Sequence, residues 1–331
     1  MSVARAHSRR NWLHRAGCAA AATLVPARVS SAVDEAPPCP ILDAHTHFYD
    51  PGRPEGVPWP AKGDPVLDRT VLPEEWERTA APFGVIGTVV VEASPWIEDN
   101  QWLLDLADRH RPGPGRLGIV GVVGQLPLGE PACAALVERF RRHRLFRGLR
   151  AWPDALGERL DAPAVRADLE RLASAGLALD LAGSTALRAA DRIARATPGL
   201  RIIVDHLGSP PIKVEDGGPS DDWRDSLAAA AGHPRVFLKV SGLLEAATQA
   251  AHDGRPPLAP EHYQPWLDAA WNTFGDGRLL FGSNWPVSDL AGSYGDVLRI
   301  VQPYFRRHGP EAERRFFADT CRAAYQTVER R

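Results

Sequence analysis

The 331-residue sequence predicts an α/β fold, a (β/α)8 barrel with an extra helix at its C-terminus. Three observations lead there. From residue 40 onward, eight short apolar runs alternate with amphipathic segments rich in Ala, Leu and Arg. The runs are near-continuous ("TVVVEA", "LGIVGVVG", "RIIVDH", "RVFLKV"), as in a parallel sheet covered on both faces. No Gly-x-Gly-x-x-Gly follows any of them, so an open sheet built for a nucleotide cofactor lacks its main support.

In chain order the strands are expected at 41–47, 86–93, 117–123, 146–151, 178–182, 201–206, 235–241 and 278–283. Helical segments follow them at about 73–82, 98–110, 131–143, 163–175, 184–197, 220–231, 260–274 and 295–308. A last helix at about 311–329 closes the chain. Eight such units in one chain of this length favour a barrel. Long loops at 48–72, 207–222 and 242–260 follow strands 1, 6 and 7, and all three belong to the C-terminal mouth, where barrel enzymes keep their chemistry.

The first 32 residues are expected to stand apart from the barrel at 33–331. "SRRNWLH" (8–14) precedes the alanine-rich "AGCAAAATLV" (16–25) and then "SSA" (30–32). Paired arginines, a short weakly apolar stretch and a small-x-small site resemble a twin-arginine export signal, with Trp12 and Leu13 after the pair. The alternative is a basic tail. With the signal, the twin-arginine machinery is a partner and the protein is periplasmic or secreted. Cys18 precedes most of the apolar stretch and Arg15 stands where a lipoprotein signal carries Leu, which argues against a lipid anchor.

Cleavage after Ala32 would remove five arginines and no acid, leaving 34 of the 39 bases against all 41 acids. An acidic domain without a basic cluster is a poor nucleic-acid binder. No later apolar run is long enough to span a membrane. Cys39, Cys133 and Cys321 show neither zinc spacing nor a disulfide framework, and at most one pair could form.

A barrel places catalytic residues where strands end. Strand 1 ends in His45 and His47, two residues apart and so on one face. Strand 2 ends in Glu92, strand 4 in Arg150 and Trp152, strand 6 in His206, and strand 7 in Lys239 and Ser241. Strand 8 leads to Asn284, Trp285 and Asp289. Simpler roles exist for several: Arg150 could satisfy loop carbonyls, Lys239 could pair with Glu92, and the tryptophans could be core or pocket wall. Asp205 alternates with His206 and is expected to face the helices. Three histidines at strand ends point to a site for a small molecule.

"DAHTHFYDP", "DHLGSP", "KVSGL" and "FGSNWPVSD", in that order, resemble the amidohydrolase-related (amidohydrolase-2) family over residues 40 to 326. Within it they look like the sugar-lactonase branch, with its L-fuconolactonase, L-rhamnonolactonase and 2-pyrone-4,6-dicarboxylate lactonase members. The resemblance implies a distorted TIM barrel and hydrolysis of a cyclic ester, with or without a divalent metal such as zinc. It assigns His45 and His47 to the strand-1 pair and His206 to the strand-6 histidine; these three would be the metal's ligands. Arg150 falls where a substrate-binding arginine is common.

One departure stands out. The strand-8 aspartate of the family, a base or metal ligand, is Asn284 here; a carboxamide accepts no proton near neutral pH and ligates metals poorly. "ADTCRAAY" (318–325) is a second, smaller departure.

The expected protein is an exported hydrolase opening a small lactone. His45, His47, His206 and Asn284 form the catalytic set, with His206 as base before Glu92 or Asp289. Glu92, Arg150, Trp152, Lys239, Trp285 and Asp289 would contact substrate. A metal-dependent decarboxylase of the same superfamily and a non-catalytic periplasmic binding relative are the rivals.

Overall fold

Eight parallel strands lie side by side in sequence order: β1 (Ile41–Thr46), β2 (Val85–Val91), β3 (Ile119–Gly124), β4 (Phe146–Ala151), β5 (Ala178–Leu181), β6 (Arg201–Val204), β7 (Val236–Val240) and β8 (Leu279–Phe281). The structure, a computed structural model, describes residues 39–213, 217–251 and 254–327. The export segment expected at 1–32 lies outside the described residues. No helix among them is long and apolar enough to cross a membrane.

The strands form a (β/α)8 barrel, closed between β8 and β1 by a few direct bonds. The Asn284 amide donates to the His45 carbonyl at 2.9 Å, and the His47 amide donates to the Trp285 carbonyl at 2.9 Å. Gly282 makes this seam possible, because a Cβ there would stand 2.8 Å from the Cβ of His45.

Helices occupy the expected intervals, and two more appear. Pro153–Leu156 is a single turn after β4, and Leu243–Ala250 fills the front of what reads as a loop after β7. "LLEAATQA" is too short to show a clear helical period. The expected last helix is broken into Pro310–Arg314, a π-turn at Arg315–Asp319 and Thr320–Tyr325.

Alternation along the strands separates two buried regions. Val90, Ile202 and Val204 pack outward in the large cluster shared with the helices, while Val89, Val91, Ile203 and Phe237 face the barrel axis. Asp180, Asp205 and Lys239 lie two residues beyond Ala178, Ile203 and Phe237, so they too face the axis, and all three are fully buried. The expectation that Asp205 faces the helices is therefore wrong. Regular pairing of β6 stops at Val204, and His206 reaches the same interior only because its φ is +54°.

The C-terminal segment closes the barrel's floor. Arg201, at the start of β6, donates from Nε to the Ala324 carbonyl at 2.9 Å, and the Tyr325 hydroxyl reaches up to Asp180 Oδ2 at 2.6 Å. Cys39, Cys133 and Cys321 are free thiols.

Candidate active site

The three strand-end histidines converge. The ring centres of His45 and His47 are 4.9 Å apart, and those of His45 and His206 are 4.6 Å apart. Pairing of β1 with β2 shifts between Asp43 and Thr46. Asp43, fully buried, holds that irregular end: it accepts from the amides of His45 (3.1 Å) and Ser283 (2.9 Å) and from the Tyr294 hydroxyl (3.0 Å). Burial raises its carboxyl to about 6 against those bonds.

His47 Nδ1 donates to the Val91 carbonyl at 2.9 Å, which leaves Nε2 as the nitrogen with a lone pair. His206 Nδ1 shares a 2.8 Å bond with the Ser241 hydroxyl. Its imidazole is packed against Gly242, where a Cβ would meet the ring at 3.0 Å, and its backbone is left-handed. Positive φ is costly for a non-glycine residue and tends to gather at functional sites. Leu207, Ser209 and Asn284 share this conformation at the same rim.

All three imidazoles are neutral near pH 7. Burial, then Arg150, lowers His47 to about 3. Burial lowers His206 to about 4, with Asp205 opposing and Lys239 and Arg150 adding. Burial and Lys239 take His45 well below its ordinary value.

Beneath the histidines lies a charged layer. Lys239 Nζ contacts Asp180 Oδ2 at 2.6 Å, Asp205 Oδ1 at 2.9 Å and His45 Nδ1 at 3.1 Å. An ammonium only donates, so this contact puts the His45 hydrogen on Nε2, a buried atom with no protein partner. Burial would raise the Asp205 carboxyl, but Lys239 and then His45 outweigh it and keep the group ionised. Lys239 itself is fully buried and does not reach the cavity above, contrary to the expectation that it contacts substrate.

That cavity has two adjoining lobes of about 440 and 550 Å³, which share Trp152, His206, Asn284 and Val287. Arg150 lines the smaller lobe and is clamped by Glu92: Nε donates to Oε1 at 2.8 Å and a terminal nitrogen to the Glu92 carbonyl at 2.9 Å. The guanidinium also lies 5.1 Å from the Trp152 ring centre. Trp152 is 44% exposed, an apolar face open to a ligand. Trp59, from the loop after β1, faces His47 at 6.0 Å.

Two expected contacts are elsewhere. Trp285 is core, 1% exposed and packed edge-on to Phe48. Asp289 lines neither lobe and sits 3.4 Å from Arg69. One residue was not anticipated. Glu245, in the first turn of Leu243–Ala250, lines the larger lobe and accepts from Asn284 Nδ2 at 2.8 Å. As the first carboxylate after β7 it was visible in the sequence, but only the unexpected helix turns it toward Asn284.

His45, Asp205 and His206 offer ligand atoms all within 4.8 Å of one another, a grouping that could take a metal ion. The orphaned Nε2 of His45 fits such a role if its Nδ1 hydrogen is given to Asp205, 3.5 Å away. The fit is to a weak site, because Lys239 already neutralises Asp205 and strand 8 supplies an amide in place of a carboxylate.

A protein-family profile described as amidohydrolase matches residues 42–327. An L-fucono-1,5-lactonase of Burkholderia ambifaria is 34% identical over 283 residues, covering 83% of this chain and 92% of the relative. An L-fucono-1,5-lactonase of Burkholderia multivorans is 31% identical over 299 residues, covering 82% and 91%. Among solved structures, a Burkholderia multivorans amidohydrolase with bound zinc superposes with a TM-score of 0.74 at 27% identity, covering 86% of this chain and 99% of that one. A putative 2-pyrone-4,6-dicarboxylic acid hydrolase of Pseudomonas putida shares the fold at a TM-score of 0.67 and 21% identity, covering 87% and 98%. With its barrel, its strand-end histidines and these relatives, the chain is a hydrolase that belongs to the amidohydrolase family.

Proposed function

We propose that the protein opens a small lactone, a sugar lactone or a related cyclic ester, by attack of water on the ring carbonyl. The observation that carries this reading is the convergence of three neutral imidazoles beneath a cavity walled by Trp59, Trp152 and Arg150. The lactonase names of the two Burkholderia relatives support it.

In this reading the bound ring parts the side chains above His45, which is fully buried and lines neither lobe. The carbonyl oxygen then takes the hydrogen bond that His45 Nε2 lacks within the protein, and that bond strengthens as the oxygen becomes an oxyanion. Lys239 acts at one remove, holding the His45 hydrogen on Nε2. Arg150, oriented by Glu92, binds ring hydroxyls or a carboxylate, and the indoles bury the apolar face of the ring. Asn284 orients the water. A divalent ion held by His45, Asp205 and His206 would need the His45 Nε2 lone pair, so it would replace that hydrogen bond and supply Lewis acidity at the carbonyl instead. Export by the twin-arginine route is part of the same proposal and rests on Arg9 and Arg10 before a short apolar stretch.

The test is a panel of sugar lactones followed by acid release, with and without chelator, alongside zinc content. We expect turnover of at least one member, substoichiometric zinc, and most activity surviving chelation. A protein that opens none of them and keeps one zinc per chain through chelator washing overturns the reading and favours the decarboxylase alternative.

A further inference from the structure

The lactonase reading needs a group that takes a proton from the attacking water, and the expected candidates serve poorly. His206 is lowered to about 4, Glu92 is committed to Arg150, and Asp289 is outside the cavity. Position 284 holds an amide.

We propose that Glu245 is the general base, supplying from the start of the helix after β7 the carboxylate that strand 8 lacks. Its Oε1 is bound to Asn284 Nδ2 at 2.8 Å, while Oε2 is buried without a hydrogen-bond partner. Both residues line the larger lobe with His206, so a small turn of the Glu245 carboxyl brings its buried free oxygen to a water held there by Asn284. Asn284 also lines the smaller lobe together with His47 and His206, which brings the carboxyl's partner to the histidine cluster. The groups around Glu245 are Asn284 and His206 on the cavity wall, Lys213 on the same wall, Asp289 outside the cavity, and Tyr263. Burial raises the carboxyl to about 7, with the Asn284 bond opposing and Asp289 adding. A base with that value is near its most effective at neutral pH.

The step balances without a co-reactant. Glu245 removes one proton as the water oxygen bonds to the carbonyl carbon. The ring C–O bond then breaks, the departing oxygen takes the proton back from Glu245, and lactone plus water becomes a hydroxy acid.

This inference rests on the lactonase reading, and its test separates the two. The pH profile of kcat/KM is measured on the best lactone for wild type, Glu245→Gln, Asn284→Asp and the double variant. Wild-type activity is expected to rise with pH through about 7, as the carboxyl ionises. Glu245→Gln should lose that limb and roughly 100-fold or more of kcat. Asn284→Asp in the Glu245→Gln background should recover at least about tenfold, with a limb shifted toward the ordinary carboxylate range. A wild type that opens no lactone overturns the lactonase reading and this assignment with it. An active wild type whose Glu245→Gln variant keeps both limb and rate overturns the assignment alone. A double variant that stays dead while circular dichroism shows it folded also counts against the assignment.

Discussion

Lys239 is the residue on which the interior depends. It stands fully buried between Asp180 and Asp205, two carboxylates that burial alone would force to protonate. A buried ion pair adds little net stability against an apolar substitute, but removing one partner strands the other charge. Lys239→Met should therefore cost about 3–5 kcal/mol in urea unfolding, the range for breaking a buried pair. A loss below 1 kcal/mol would show that Asp180 and Asp205 share a proton instead. Alternation from Phe237 and Ile203 already places Lys239 and Asp205 on the axis. Asp205 is misread when parity is counted from His206, whose left-handed backbone breaks the alternation.

Among the elements, the seam between β8 and β1 is the most exacting. Only a glycine at 282 allows the strands to approach, and the same approach sets His45 over Lys239. Gly282→Ala should cost about 1–3 kcal/mol in stability, as overpacking does. Turnover should fall further, by about 10- to 100-fold, because displacing His45 by part of an ångström spoils its aim at the carbonyl. Thermal unfolding and kcat measured together check this; an active variant with a lowered Tm would show that seam and chemistry are uncoupled. The strands themselves were legible from their apolar runs. The Leu243–Ala250 helix was not, since eight residues behind a glycine give too little period to read. Glu245 has no local signal of its own apart from that helix.

For the whole molecule, the proposal is that residues 1–32 direct export of the barrel by the twin-arginine route. Replacing Arg9 and Arg10 with lysine should leave full-length precursor in the cytoplasm, seen by fractionation and mass. A double variant still exported and trimmed near Ala32 removes the twin-arginine proposal and leaves the barrel's chemistry untouched. The floor built by the C-terminal segment is a property of this scale. Tyr325 reaches Asp180 across 145 positions of sequence, and no local pattern announces such a contact.

Periodicity and composition by themselves determined the (β/α)8 order, the positions of the eight strands to within a few residues, and the gathering of His45, His47 and His206 at one mouth. Those features follow from local rules, in which apolar runs make strands, alternation sets faces and strand ends meet in a barrel. Only the tertiary structure decided what the polar residues do there. It sent Lys239 below the histidines, Trp285 into the core and Glu245 to Asn284. Such assignments depend on distances of a few ångströms between residues far apart in the chain, and a hydrogen bond or a buried charge is decided at that range.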